Sequence, residues 1–320
     1  MKSFVPDGNG QVRLADIDEV IAAPAEAIVA VEAFSVNRGE TFLLEDPPAG
    51  WRPGKDIAGR VVQAAAGGAG PRAGTRVLGH PPSRGWAERV AVPVRMLVEL
   101  PDAVTTTAAA ALPLAGLTAL RLVRAAGPLI GRRLLITGAS GGVGHYVTEL
   151  AVASGAEVTA VSASPERGAA LAALGATVVT DPAGAPGRYD IVMESVGGQS
   201  LVTARRKARA DGVVLWFGQA SQTPVTLDFF DWIDGTAGAA IIAFRYERRD
   251  FADDGDLATL VRLTATGRLH PEIGTLLPWE DAPGVIDAIR QRQLRGNAVL
   301  TLEPRSPRPC TVSSPTALTP

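Results

Sequence analysis

The chain has 320 residues, 20% of them charged, and a net charge of −2. That length suits two domains or one large one, and no basic field invites nucleic acid. A hydrophobic content of 46% supports a large core, and the single cysteine, Cys310, excludes both a disulfide framework and a cysteine-based metal site.

The stretch from Met1 to Asp7 has no apolar signal core, and the longest apolar run, 108–120, carries Pro113 and is too short to span a bilayer. A soluble, cytoplasmic protein is the expectation. His80, His145 and His270 are scattered, each beside a proline or glycine, and read as surface or turn residues rather than ligands.

Up to about residue 100 the pattern is of short β segments separated by Pro-Gly and Gly-Gly turns. Strands are predicted over Ala27–Ala33, Ile57–Gln63, Thr75–Leu78, Trp86–Val92 and Met96–Leu100. Thr105 offers a cap for an Ala-rich helix, and Pro113 starts or bends a second helix carrying Leu117, Leu120, Leu122 and Val123. Leu134-Leu135-Ile136 then runs as a strand into Thr137-Gly138-Ala139-Ser140-Gly141-Gly142-Val143-Gly144, followed by a helix over about Gly142–Ser154. Strands at Glu157–Val161, Thr177–Val179, Tyr189–Met193 and Val213–Gly218 follow, with a helix at Pro165–Leu174, so the series alternates β and α. Beyond Gly218 come an aromatic stretch, Thr226–Trp232, and a strand candidate, Ala239–Phe244. Helices are predicted over Asp256–Thr266 and Asp281–Arg292, with a closing strand at Asn297–Leu302. From Arg305 on the chain is rich in Pro, Ser and Thr without periodicity and reads as a disordered tail.

The glycine stretch carries the chemistry. Ala139-x-Gly141-x-x-Gly144 lies between a strand and a helix on the dinucleotide template. Small residues let backbone pass close to a pyrophosphate, and the helix N-terminus offers it N–H groups. Ser140, Gly141, Gly142 and Val143 are therefore candidate phosphate contacts. An NAD site usually carries an acid about 20 residues after the glycines. Here Ser162 takes that place and Arg167 follows, a pair that suits a 2′-phosphate, so NADPH is the expected cofactor. Asp181, in the turn after the third strand of the series, weakens that preference unless it points outward and caps the turn at Pro182.

Several segments in order resemble the medium-chain dehydrogenase/reductase superfamily. They are 35–40 (SVNRGE), 53–59 (PGKDIAG), 74–79 (GTRVLG), 85–92 (GWAERVAV) and 110–119 (AALPLAGLTA), then the glycine loop and 194–198 (ESVGG). The resemblance runs over about 1–304 and implies an α/β fold, a Rossmann doubly wound parallel sheet plus a β-rich GroES-like domain. By it, 1–108 and 253–304 form the GroES-like catalytic domain and 109–252 the dinucleotide-binding domain. Zinc alcohol dehydrogenases of the superfamily place cysteines at Asn37 and near Leu114, and Gly-His-Glu at Gly54-Lys55-Asp56. The match is thus with the zinc-free quinone oxidoreductase (zeta-crystallin-like) and enoyl-reductase branch, which uses NADPH to reduce double bonds conjugated to a carbonyl; no metal is expected.

The same resemblance implies the roles of particular residues. Asn37 and Thr118 would lie near the nicotinamide end. Ser195 and Val196 would pack on the dinucleotide, Phe217, Gly218 and Gln219 would end a strand near the nicotinamide, and Phe244 would flank the ring. Asn297 stands where relatives often carry lysine. Arg38 and Glu40 are expected to pair with each other, and no tyrosine among Tyr146, Tyr189 and Tyr246 is placed as a general acid. The loop from Leu44 to Arg52 is expected to fold over the cleft, with Phe42, Trp51 and Trp232 as an apolar wall for a medium-sized uncharged conjugated carbonyl compound. A homodimer through the apolar 226–244 region is also expected. A redox-silent NADPH-binding relative, or a non-reductive use of the pocket such as cyclisation, stays open as an alternative.

Overall fold

The computed structural model describes residues 1–232, 239–247 and 253–302, except the side chains of 231–232 and 253–254. The expected tail from 305 lies outside the described residues, as does the side chain of Trp232.

The chain opens with an antiparallel hairpin, β1 (Lys2–Pro6) and β2 (Val12–Asp16), that the sequence pattern did not reveal. β3 (Glu26–Val36), α1 (Arg38–Leu43), β4 (Ile57–Gln63), β5 (Arg76–Gly79), β6 (Arg89–Pro93) and β7 (Leu97–Glu99) follow. The Thr105 hydroxyl accepts from the Ala108 N–H at 3.2 Å and so caps α2 (Thr106–Ala110), and Pro113 opens α3 (Pro113–Ala125).

The nucleotide-type segment comprises β8 (Arg133–Ile136), α4 (Gly142–Ala153), β9 (Glu157–Val161), α5 (Pro165–Ala173) and β10 (Thr177–Val179). It continues with β11 (Tyr189–Glu194), α6 (Gly198–Arg205), β12 (Ala208–Trp216) and β13 (Ala240–Ala243). These strands form one parallel sheet in the order β10-β9-β8-β11-β12-β13. That is the doubly wound order, with its reversal between β8 and β11. Leu134, Leu135, Ile136, Ile191, Val192 and Met193 are buried, as expected for central strands covered on both faces.

The chain then returns through α7 (Asp253–Ala265), β14 (Ile273–Pro278) and α8 (Ala282–Arg290) to β15 (Asn297–Thr301). β15 pairs with β3, so the second sheet runs β14-β15-β3-β4-β5-β7, with β6 also on β3. Its core is built around Phe34 and Trp86, stacked with ring centroids 5.5 Å apart. The fold is a Rossmann sheet plus a separate β-rich unit. The two meet where Gly296 donates its N–H to the Ser140 carbonyl at 2.8 Å, beside a parallel bridge between Gly141 and Gly296.

Candidate functional site

A cavity of about 760 Å³ opens beyond the carboxyl ends of β8 and β11, at the point where the strand order reverses. Its floor is the glycine loop, with Gly138, Ser140, Gly141, Gly142, Val143 and Gly144 all at the cavity wall. The glycines are needed there. A Cβ on Gly144 would lie 2.5 Å from the Ala139 Cα, and Gly138 has φ of 62° with Ser195 Oγ 2.5 Å from where its Cβ would be. α4 starts at Gly142 with no side-chain cap, so its first-turn N–H groups are left for a ligand.

On the β9 side the cavity is lined by Val161, Ala163, Arg167, Thr180 and Asp181. Ser162 is absent from that wall. It is buried, and its hydroxyl donates to the Ser164 carbonyl at 3.1 Å, because the turn into α5 consumes it. Arg167 does reach the wall, but it is not a free cation: Nη1 donates to the Arg292 carbonyl at 2.6 Å and Nη2 to that of Leu294. Its Nε is buried with no hydrogen-bond partner among the described residues. Arg38 and Arg292 line the same cavity. Burial first, then the like charges of Arg292 and Arg167, push the Arg38 guanidinium down from its ordinary value. Three guanidinium groups at one cavity wall suit a phosphate. Arg38 and Arg292 come from α1 and from just after α8, so sequence spacing does not mark them as anion partners and only the tertiary fold brings them to Arg167. Asp181 accepts the Ala183 N–H at 2.6 Å, capping its turn as expected, and stands exposed at the rim.

The β11 side is shaped by Glu194, fully buried, which accepts from Thr137 Oγ1 (3.0 Å), Ser200 Oγ (2.9 Å) and the N–H groups of Val196 and Gly197 (3.1 and 2.9 Å). It sets the 195–197 loop, and Ser195 and Val196 line the cavity with Phe217, Gly218, Gln219 and Phe244. Thr118 lines it too, its hydroxyl donating to the Leu114 carbonyl at 2.7 Å. Asn297 abuts the loop from the other domain: a Cβ on Gly142 would lie 2.3 Å from its Oδ1, and its Nδ2 donates to the Glu272 carbonyl at 3.2 Å.

At the far end lies a polar cluster. Asn37 Nδ2 donates to Asp56 at 2.7 Å, and the same buried carboxylate accepts from Ser35 Oγ (2.8 Å) and the Leu114 N–H (3.0 Å). His80 Nδ1 faces Asp56 Oδ1 at 3.1 Å and the Lys55 carbonyl at 2.9 Å. Glu40 does not pair with Arg38. It is buried and accepts the N–H groups of Asn37 (3.0 Å), Gly54 (2.7 Å) and Lys55 (3.1 Å). Burial outweighs those donors and pushes its carboxyl up to about 8. Lys55 Nζ donates to Glu247 Oε1 at 2.9 Å and to the Tyr246 hydroxyl at 3.2 Å, and all three residues line the cavity. Tyr246 is thus at the site, which single-sequence reasoning missed because the contact joins residues 191 positions apart.

Other expectations are corrected. No residue of 44–52 lines the cavity, and Trp51 packs half-buried on the β-rich core around Phe34 and Trp86, where its indole finds apolar surface. Phe42 does line it. His80 and His145 are buried rather than at the surface. Tyr146 and Tyr189 are, in agreement with the sequence reading, packing residues, donating to the Ala111 carbonyl and to Thr159 Oγ1, each at 3.0 Å.

Among the described residues no three His, Cys, Asp or Glu side chains are grouped to hold a metal ion. A dinucleotide does fit, on the glycine cradle, the uncapped α4 N-terminus and the unpartnered Arg167 Nε.

Residues 142–259 match a family profile described as zinc-binding dehydrogenase. A chloroplast envelope quinone oxidoreductase homolog of Arabidopsis thaliana is 42% identical over 117 residues, 34% of this chain and 36% of that protein. The spectinabilin polyketide synthase system protein NorB of Streptomyces orinoci is 31% identical over 93% of this chain, which spans only 14% of NorB. The NADPH-complexed quinone oxidoreductase of Escherichia coli superposes with a TM-score of 0.84 at 19% identity, covering 94% of this chain and 98% of its own. In sequence over these stretches, and in fold over nearly its whole length, the chain is similar to quinone oxidoreductases of the medium-chain dehydrogenase/reductase type.

Proposed function

We propose that the chain is an NADPH-dependent, zinc-independent reductase of conjugated carbonyl compounds, enones or quinones. The observation that carries this reading is one cavity joining a dinucleotide cradle to a polar cluster at Asn37 and Lys55. Bound in the cradle, NADPH would supply a hydride. The glycine loop and α4 would hold its pyrophosphate, and Arg38, Arg167 and Arg292 its additional phosphate. Thr118, Phe217, Gly218, Gln219 and Phe244, which line the cavity, would border the nicotinamide, and Phe42 would face the substrate. A conjugated carbonyl needs no Lewis acid, because reduction at the β-carbon spreads charge onto an oxygen that fixed donors can hold. We also read the protein as a homodimer through β13, the outer strand of the parallel sheet, where Ile242 is exposed and Phe229 and Phe230 lie nearby in sequence at 76% and 70% exposure.

The test is NADPH oxidation with a panel of enones, quinones and a crotonyl-type CoA thioester, with and without chelator, beside fluorescence titrations of both cofactors. Turnover of enones or quinones indifferent to chelator is expected, with NADPH bound at least about tenfold, or about 1.4 kcal/mol, more tightly than NADH. Arg292→Ala should remove that preference. Absence of NADPH consumption across the panel overturns the reading, and a thioester that outperforms the rest in kcat/KM overturns the substrate class.

A further inference from the structure

We infer that Lys55 is the residue that meets the substrate's carbonyl oxygen, an assignment that rests on the reductase reading above. The side chain is 21% exposed and lines the same cavity as Asn37, Thr118 and Phe244. An ammonium has three donors. Two are spent, on Glu247 Oε1 and the Tyr246 hydroxyl, and the third has no acceptor among the described residues. An unspent donor on a largely buried cation, at the wall of a cavity, is a binding feature for an acceptor oxygen.

The residue is held from every side. Its N–H donates to Glu40 and its carbonyl accepts from His80, so the backbone cannot swing. Tyr246 is fixed in turn, because Arg121 Nη1 donates to its carbonyl at 2.6 Å, and its ring centre lies 5.7 Å from the Lys55 Nζ. The other cations at the wall are otherwise engaged. Arg38, Arg167 and Arg292 group together, and Arg245 is 81% exposed and pairs with Glu247. Tyr246 itself is a poor alternative donor, since burial and the neighbouring Glu247 carboxylate hold its proton more firmly than usual. Tyr246 and Glu247 are therefore positioning residues for the ammonium.

The step balances simply. When reduction at the β-carbon moves an electron pair onto the carbonyl oxygen, a Lys55 N–H bond breaks and an O–H bond forms. The enol leaves and tautomerises in water, and the neutral amine takes a proton back from solvent.

The contact is tested on the full chain with 4-nitrophenol, whose phenolate oxygen mimics the enolate and whose absorbance reports its ionisation. With NADP⁺ present, the wild type should lower the apparent pKa of the bound phenol by about one unit or more, and Lys55→Met should abolish the shift. Turnover of an enone should fall about 100-fold in Lys55→Met, as for loss of one oxyanion donor, and recover in Lys55→Arg. NADPH affinity should stay within about twofold, which also shows that the variant is folded. A wild type without the phenolate shift, or a shift or turnover unaltered by Lys55→Met, overturns the assignment while leaving the reductase reading intact. A wild type that ionises the phenol through Lys55 yet reduces nothing keeps the contact and sinks the reductase reading.

Discussion

Glu40 is a carboxyl group facing three backbone N–H donors, and the loss of water around it still dominates. Its folded value of about 8 lies above the ordinary 4.5, so the native state binds the extra proton between those limits. Stability from this group is fully present below about pH 4.5 and is lost as pH rises through about 8, of the order of a few kcal/mol. Urea midpoints measured at the two ends of that window should fall with rising pH in the wild type and fall less in Glu40→Gln; parallel slopes would show that the group is ordinary. At this scale the sequence was partly legible. The glycine loop, Thr118, Phe217, Gly218 and Phe244 reach the cavity because strand ends and loop spacing place them. Ser162 and Trp51 do not, since a local turn and a neighbouring core compete for them, and such competition leaves no mark on spacing. Lys55 stood in a quoted motif, yet nothing in that motif announced Tyr246.

Among elements, those with a clean period or a cap were readable: β4, β9 and β10 fall where predicted, and Thr105 and Pro113 open α2 and α3. α1 was not, because its burial is inverted. Glu40 and Thr41 are buried while Phe42 is 36% exposed, so no apolar stripe exists. β14 was missed for a similar reason, with Leu276 and Leu277 exposed on an outer strand. The glycine loop gives the sharpest prediction at this scale. Gly144→Ala forces a methyl to 2.5 Å from the Ala139 backbone, which must move the loop away from α4. A loss of roughly 1–3 kcal/mol in stability is expected, together with weakened NADPH binding in a titration. Wild-type affinity and melting temperature in that variant would mean the loop is not held to this geometry.

For the whole molecule, alternating βα units pointed to a parallel sheet, since parallel strands need crossovers and crossovers have one hand, while its doubly wound order was what the family resemblance implied. The return of β15 to β3 was not readable from pattern, because pairing partners so far apart share no local signal. The proposed dimer belongs here. Light scattering at micromolar concentration should give about twice the 33.1 kDa of one chain, and charged substitution of Ile242 should halve that mass. A single-chain mass in the wild type overturns it.

The bridge from Gly296 to Ser140 and Gly141 has a kinetic corollary. β15 pairs with β3, and Gly296 immediately before it braces the glycine loop. The parallel sheet can collapse from contacts near in sequence, whereas the β-rich sheet must wait for a long loop to close. During synthesis the nucleotide loop would therefore emerge unbraced and acquire its final shape last, when β15 docks. Cofactor-binding competence in refolding should then trail the recovery of helical signal.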